Sequence, residues 1–281
     1  MEKVKNQTVT VYISTYNRVE LLKRATRSVL NQTYKNIELI IVDDYSSDGT
    51  LEYLQELVKI YKNIKFFQNE KNSGACVSRN QAIKEASGEF ITGLDDDDEF
   101  ELGRVEFLLR EYKEKYSFIC TSIKTVNKNN IKINSCSNLI FNYDDLYFDN
   151  VAGNQFFCLT KNIQSIGGFD VNLKSSQDLD LMVRLCREFG NAKRFKNSSY
   201  IMHLDHDKPR ISTSKGKIDG MVFFLEKHGT YMSKTQKIYH QYLIRYWKKK
   251  PNFSIKLAIL MALFNYKKIL RKISSIFYGK L

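Results

Sequence analysis

The sequence contains few of the residues that interrupt or cross-link a chain. Among 281 residues there are only 2 prolines and 13 glycines, and no internal repeat, which excludes a collagen-like or low-complexity protein. Its 5 cysteines are widely spaced and include no C-x-x-C pair, a pattern typical of reduced cytoplasmic thiols rather than of disulfides or a zinc site. With 43% hydrophobic and 27% charged residues, the chain has the composition of a globular protein.

Long apolar runs are also missing. A membrane-spanning helix needs roughly 20 apolar residues, and the longest candidate, IKLAILMALF at 255–264, is too short. The N-terminal stretch MEKVKNQTVTVYI lacks the apolar segment of a signal peptide. These two absences predict a cytoplasmic protein.

Acidic residues are absent beyond Glu226. Residues 227–281 hold 13 Lys and Arg, as many as the whole formal net charge of +13. A nucleic-acid-binding protein would spread its positive charge over a recognisable module, and we find none. A basic amphipathic helix can instead lie on an anionic membrane, with Trp247 at the level of the headgroups. The alternative is a helical hairpin packed on the preceding domain, or on a second copy of the chain in a homodimer.

Strand and helix patterns alternate over the first hundred residues. The runs at 9–14 and 37–44 are apolar without alternation, as in strands buried on both faces of a parallel sheet. Helical spacing follows each of them, and again from Ala75 to Ala86, ahead of the strand EFITGL. This order predicts an α/β fold with a Rossmann-like, mostly parallel sheet flanked by helices. From 217 onward the pattern is helical, basic and aromatic.

Three predicted strands end in chemically unusual segments, STYNR (14–18), VDDYSSDGT (42–50) and LDDDDEF (94–100). In parallel α/β sheets, ligands bind at the carboxyl ends of the strands. Asp95 and Asp97 lie two residues apart and can converge on one Mg²⁺, whereas Asp96 and Asp98 are expected to face ribose, backbone amides or solvent. Taken alone, the four aspartates also suit an exposed acidic turn. The sequence has no G-x-G-x-x-G and no P-loop, so a dinucleotide site is not predicted.

The order of four blocks resembles glycosyltransferase family 2. They are VTVYISTYNR, LLKRATRSVLNQTYKNIELIIVDDYSSDGT, NEKNSGACVSRNQAIKEASGEFITGLDDDDEF and IGGFDVNLKSSQDLDLMVRL, within roughly residues 8–190. The resemblance implies a GT-A fold, a bound Mn²⁺ or Mg²⁺, and sugar transfer from a nucleotide diphosphate with inversion. With the change of pattern at 217, we expect a catalytic domain over 1–215, divided near residue 100 into a nucleotide-sugar half and an acceptor half. A basic helical region at 216–281 would follow.

The resemblance also implies which residues bind the donor. Tyr16 and the end of the first strand would clasp uracil, Asp44 would hydrogen-bond to the base, and Asp95 would face the ribose. Asp97 would hold the metal, with His206 as a further ligand and His203 as its alternative. The complete set of residues implied to bind the nucleotide sugar is Ser14, Tyr16, Asn17, Arg18, Asp44, Arg79, Asp95 and Asp96.

The catalytic base of the family is commonly an aspartate in an E-D pair at a helix start. Here the pair is Gln177-Asp178, so Asp178 would be the base despite the departure at the first position. Asp180 is the fallback, and either carboxylate would also suit the first turn of a helix for electrostatic reasons alone. In the following segment, Lys208 or Arg210 could neutralise the departing diphosphate.

These features together predict an enzyme that moves one hexose at a time. The Q-x-x-R-W signature of processive synthases is absent. We expect a UDP-galactose or UDP-glucose donor and a β-linked product. The expected acceptor is a glycan linked to undecaprenyl diphosphate, in O-antigen, capsule or lipopolysaccharide synthesis at the inner face of the cytoplasmic membrane. The alternatives are a nucleotidyltransferase on a similar core and a non-enzymatic nucleic-acid-binding protein.

Overall fold

A mixed sheet of ten strands runs through the computed structural model, which describes residues 7–128, 130–134, 137–205 and 216–249. The strands are β1 (Val9–Thr15), β2 (Ile37–Asp43), β3 (Ile64–Gln68), β4 (Phe90–Gly93), β5 (Glu99–Phe100), β6 (Ile119–Asn127), β7 (Asn130–Asn134), β8 (Leu139–Phe141), β9 (Phe157–Leu159) and β10 (Ala192–His203). The helices are α1 (Val19–Leu30), α2 (Thr50–Ile60), α3 (Ala75–Glu85), α4 (Arg104–Glu111), α5 (Tyr143–Leu146), α6 (Thr160–Ser165), α7 (Gln177–Phe189), α8 (Gly216–His228) and α9 (Lys234–Lys249). The predicted domain boundary near residue 215 lies outside the described residues.

The sheet is parallel in its first half and mixed in its second. Its order is β3-β2-β1-β4-β9-β6-β10-β5, and β7 and β8 pair at the sides of β6 and β10. Strands β3, β2, β1 and β4 are mutually parallel, whereas β9 runs antiparallel to both β4 and β6. The carboxyl ends of β1, β2 and β4 therefore meet at one edge of the sheet, as the alternation of strands and helices predicts.

Two hydrophobic layers cover the faces of this sheet. In β2, Leu39 and Ile41 pack with α1, α2 and α4, while Ile40 and Val42 point to the opposite face and pack with α3 and α7. Every residue of β2 is buried, which explains why its sequence shows no polar alternation. Since each buried aliphatic side chain contributes about 1.5–3 kcal/mol, these layers hold the strand ends in a fixed arrangement.

A buried arginine ties the second half of the sheet together. The guanidinium of Arg104 donates hydrogen bonds to Thr121 Oγ1 (2.8 Å), Ser199 Oγ (3.0 Å) and Gln155 Oε1 (2.7 Å). It also lies over the ring of Tyr200, 5.3 Å from the centroid. Burial lowers the pKa of Arg104 to about 10. The side chain thereby links α4 to β6, β10 and the segment before β9, and Tyr200 in turn borders the acidic turn described below.

We predict that Arg104→Ala lowers the free energy of unfolding by about 3 kcal/mol or more, because it opens a cavity and removes three buried hydrogen bonds. Arg110→Ala on the same helix is the matched control. Its side chain is 62% exposed, so the loss should stay within about 0.5 kcal/mol. Urea denaturation followed by circular dichroism measures both. Equal losses for the two variants would contradict the stabilising role of Arg104.

Candidate active site

The ends of β1, β2 and β4 and the start of α7 open into one cleft of about 910 Å³. The structure brings ten of the residues singled out in the sequence to its lining: Ser14, Tyr16, Asn17, Arg18, Asp44, Arg79, Asp95, Asp96, Asp97 and Asp178. His206, Lys208 and Arg210 lie outside the described residues. Residues far apart in the chain therefore share a single site.

The four aspartates form a tight turn after β4. The backbone N–H of Asp98 donates to the carbonyl of Asp95 at 3.1 Å, which reverses the chain. Carboxylate oxygens of Asp95, Asp97 and Asp98 consequently lie within 4.8 Å of one another. Asp98 accepts from a backbone amide, that of His203, as expected. The expectation that it would point away from Asp95 and Asp97 was wrong, because strand alternation ends at Gly93 and a turn brings its first and last side chains together.

This three-carboxylate group is suited to a divalent cation. Burial, and then the charges of Asp95 and Asp97, raise the pKa of Asp98 to about 8, so the protein alone does not stabilise the ionised form of all three carboxyl groups. Hard oxygen donors are the ligands that Mg²⁺ and Mn²⁺ prefer. Asp95, Asp97 and Asp98 are the residues that could hold such an ion.

Asp96 points away from the group, towards β1. One oxygen accepts a hydrogen bond from Thr15 Oγ1 at 2.8 Å and the other from Arg18 Nη1 at 2.9 Å. Arg18 also donates to Asp97 Oδ2 at 3.2 Å. Burial raises the pKa of Asp96 to about 6 even though Arg18 opposes the shift. Asp96 therefore anchors Arg18 at the rim of the acidic turn.

The ends of β1 and β2 are linked to each other and to the loop after β3. Asn17 has a left-handed backbone (φ 52°), and its side-chain oxygen accepts from the N–H of Ser47 at 2.8 Å. Asp44 accepts from the backbone N–H groups of Ser73 and Gly74, both at 2.8 Å. The ring of Tyr16 remains 44% exposed at the cleft. This corner combines an accessible aromatic face with a rigid carboxylate.

Arg79 connects the acidic turn to the start of α7. Its guanidinium donates to Asp95 Oδ1 at 3.0 Å and to Gln177 Oε1 at 3.2 Å, and lies 3.7 Å from Asp178 Oδ1. Burial alone would lower the pKa of Arg79, but Asp178 and Asp95 outweigh burial and raise it. The sequence placed Arg79 near the nucleotide but carried no signal for its contacts with α7.

Asp178 is a partly accessible carboxylate at the start of α7, with 28% of its side chain exposed. Burial raises its pKa to about 6, a shift that Arg79 opposes and Asp95 reinforces. Ser176, two residues before Asp178, has a left-handed backbone conformation (φ 61°). This conformation turns the chain into α7 beside the cleft. A carboxylate with this pKa is poised to exchange a proton near neutral pH.

Asp180, the fallback base, is occupied elsewhere. Its side chain is fully buried and makes ion pairs with Arg184 (2.8 Å) and Lys227 (2.8 Å), and its Oδ1 lies 2.8 Å from His228 Nε2. Burial alone would raise the pKa of Asp180, but these partners lower it. Asp180 therefore fastens α8 to α7.

His203 lies near the acidic turn, and its ring contacts the carboxylate of Glu99. Its Nε2 lies 2.7 Å from Glu99 Oε1, and its backbone N–H donates to Asp98 Oδ1 at 3.0 Å. The ring is thus directed at Glu99, and it is not among the group that could hold a cation.

Some lining residues carried no sequence signal. The amide of Asn154 donates to Asp95 Oδ2 at 2.7 Å and to the hydroxyl of Tyr200 at 2.9 Å. Lys217 of α8 also lines the cleft, and so does Trp247 of α9, whose indole the sequence led us to expect at the level of membrane headgroups. Asn154 lies in an irregular loop and the helices are distant in the chain, so only the tertiary structure brings these residues to the site.

The chain is similar in sequence to known proteins of bacteria. The chain is 31% identical over 277 residues to a protein of Escherichia coli K12 described as a colanic acid biosynthesis glycosyl transferase, WcaA; the alignment covers 94% of this chain and 96% of that one. It is 39% identical over 112 residues to GalNAc(5)-diNAcBac-PP-undecaprenol beta-1,3-glucosyltransferase of Campylobacter jejuni, covering 40% of this chain and 36% of that protein.

A solved structure, S. aureus TarS 1-349 in complex with UDP-GlcNAc, superimposes with a TM-score of 0.63 at 19% identity. The match covers 78% of this chain and 66% of that one, and it confirms the predicted GT-A fold. The family model for "Glycosyl transferase family 2" matches residues 10–163, which contain β1, β2 and the acidic turn. Given this match and the similarity along nearly the whole length of WcaA, the chain belongs to glycosyl transferase family 2.

Proposed function

We propose that the protein transfers one hexose from a UDP-sugar to a hydroxyl group of a glycan acceptor, with inversion. The observation that carries this proposal is the arrangement around Arg79. Arg79 contacts both Asp95, in the acidic turn that could hold a cation, and Asp178, a carboxylate whose pKa is raised to about 6. A site for a diphosphate and a proton acceptor thus share one cleft. Membership of the family favours this function over a nucleotidyltransferase or a nucleic-acid-binding protein.

On the donor side, we assign the nucleotide to the corner formed by β1 and β2. Tyr16 offers its exposed face to uracil, and the rigid carboxylate of Asp44 accepts from the ring N–H. Asp95 faces the ribose, and Arg18 lies near the phosphates, held there by Asp96. A relative of the same fold was crystallised with UDP-GlcNAc, which supports a uridine nucleotide. UDP-glucose and UDP-galactose are our preferred donors.

Asp97, together with Asp95 and Asp98, is the proposed holder of Mn²⁺ or Mg²⁺. Such an ion would act as a Lewis acid that stabilises the charge on the departing diphosphate.

On the acceptor side, Asp178 is the general base. Its ionised carboxylate takes the proton of the acceptor hydroxyl while that oxygen forms a bond to the anomeric carbon. The bond from this carbon to the diphosphate oxygen breaks, and the electron pair leaves with UDP. Because attack occurs opposite the leaving group, an α-linked donor gives a β-linked product. Arg79 holds Asp178 in place, and its positive charge favours the ionised form.

We place the reaction in bacterial surface-polysaccharide synthesis, on an acceptor linked to undecaprenyl diphosphate. Relatives described as acting in colanic acid biosynthesis and on an undecaprenol-linked glycan support this placement. No helix in the described ranges combines the length and hydropathy of a membrane-spanning segment.

The C-terminal helix α9 suits contact with an anionic membrane surface. It contains no acidic residue, and its positions at helical spacing form an exposed, mainly basic stripe: Lys234, Ile238, Gln241, Arg245 and Lys248. This supports a peripheral location at the inner face of the cytoplasmic membrane. The rest of the basic tail, residues 250–281, lies outside the described residues.

Metal binding by the acidic turn can be tested at Asp97. We expect Asp97→Asn to weaken Mn²⁺ binding at least about tenfold, because one anionic ligand becomes neutral. Electron paramagnetic resonance of free Mn²⁺ measures the affinity. Glu52→Gln, which neutralises an exposed carboxylate of α2, is the control and should bind like the wild type. Unchanged affinity in Asp97→Asn would remove the acidic turn from the proposal.

The second prediction separates the two carboxylates of α7. Asp178→Asn should reduce sugar transfer by about 10²- to 10⁴-fold and leave UDP affinity unchanged, since only proton transfer is lost. Asp180→Asn should instead lower the free energy of unfolding by about 3 kcal/mol, because it disrupts a buried ion network. Transfer is followed by UDP release from a UDP-sugar and stability by urea denaturation. If Asp178→Asn retained full turnover, Asp178 would not be the base.

The third prediction is a pH dependence. The base must be ionised, and the pKa of Asp178 is raised to about 6, so the rate should rise as pH increases through about 6 and level off above it. Initial rates at saturating donor between pH 5 and 8 measure the profile. The residual rate of Asp178→Asn should lack this inflection. A flat wild-type profile over the same range would contradict the assignment.

A further inference from the structure

Helices α8 and α9 form the side of the cleft that faces the start of α7. Lys217 and Met221 from α8, and Leu243 and Trp247 from α9, contribute to its lining beside Asp178. None of these four residues belongs to the donor corner or to the acidic turn. The proposed function so far assigns no role to this wall of the cleft.

The position of Lys217 is fixed relative to Asp178. Ser175 Oγ donates to the carbonyls of Gly216 and Lys217, each at 3.2 Å, so the first turn of α8 rests on the residues that lead into α7. The approach is close: a Cβ atom on Gly220 would lie 2.1 Å from Ser175 Oγ and 2.7 Å from the Ser175 carbonyl oxygen. The Asp180 network fastens the other end of α8. Lys217 is thus held next to the proposed base.

Among the residues that the structure describes, no carboxylate pairs with the ammonium of Lys217. Within the described part of the chain it forms no ion pair or hydrogen bond, and it lies 3.5 Å from the centroid of the Trp247 ring. Burial lowers the pKa of Lys217. A partly buried cation without an anionic partner is costly, so the site favours a ligand that brings a negative charge.

Trp247 gives this wall an aromatic surface. The indole is 49% exposed, and its apolar neighbours in the lining are Met221 and Leu243. An aromatic ring beside a cation suits a ligand that is partly apolar and partly anionic, such as the carbon–hydrogen face of a sugar ring that bears a phosphate.

We propose that Lys217 and Trp247 form the acceptor subsite, in which Trp247 packs on a sugar ring and Lys217 pairs with a phosphate attached to that sugar. This inference rests on the proposed function, because it takes Asp178 as the residue that faces the acceptor hydroxyl. The phosphate of the donor belongs to the other side of the cleft, near Asp97 and Arg18. The acceptor phosphate comes either from a lipid-linked sugar or from a free sugar phosphate.

The sequence contains a single tryptophan, Trp247, so tryptophan fluorescence of the protein reports directly on this side of the cleft. The full-length protein, with UDP and Mn²⁺ filling the donor side, is titrated with glucose 1-phosphate, glucosyl farnesyl phosphate in micelles, methyl glucoside and inorganic phosphate. We expect a saturable change with both sugar phosphates and at least about tenfold weaker binding of the other two probes. Tighter binding of the farnesyl ester would assign the lipid-linked source, and equal binding the free one.

Lys217→Gln should weaken glucose 1-phosphate binding about tenfold and leave methyl glucoside binding unchanged. Lys161→Gln, on the exposed side of α6, is the matched control and should behave like the wild type. Calorimetry repeats the titrations without relying on fluorescence. If UDP still binds, any one of three results would overturn the subsite. These are no binding of sugar phosphates, binding that Lys217→Gln does not weaken, and binding that does not change Trp247 fluorescence. Loss of UDP binding itself would instead contradict the proposed function.

Discussion

Four successive carboxylates repel one another, and the structure of the cleft depends on the positively charged side chains that offset this repulsion. Arg18 binds Asp96 and Asp97 from the side of β1, and Arg79 binds Asp95 from the side of α3. Arg79 also reaches Asp178, so the same cation positions the acidic turn and the proposed base. Because Arg79 is 8% exposed, these charges interact through the protein interior, where screening by water is weak.

The remaining architecture keeps this charge arrangement rigid. Tyr200 hydrogen-bonds to Asp98 and accepts from Asn154, and Arg104 lies against the same tyrosine ring. A buried cation in the second half of the sheet thus supports the turn in the first half. On the far side, the Asp180 network holds α8 against α7, which fixes the wall that faces Asp178. The geometry of the cleft consequently depends also on Tyr200, Arg104 and Asp180, which are not among its lining residues.

Local patterns predicted the parts of the molecule that local physics determines. The apolar run of β2, the helical spacing after it and the three unusual strand ends identified the parallel half of the sheet and the edge at which the cleft lies. Long-range pairing determined the rest. Strand β9 has three residues and joins the two halves only because β4 and β6 flank it. The turn that brings Asp98 beside Asp95, and the docking of α8 beside Asp178, likewise depend on tertiary contacts that no short segment encodes.

We propose that this cleft binds uridine diphosphate through its acidic turn. Isothermal titration calorimetry of UDP into the wild-type protein, with and without Mn²⁺ and with ADP for comparison, measures this binding. We expect saturable UDP binding that requires Mn²⁺, and markedly weaker binding of ADP. Absence of UDP binding under both conditions, or equal binding of ADP, would contradict this proposal.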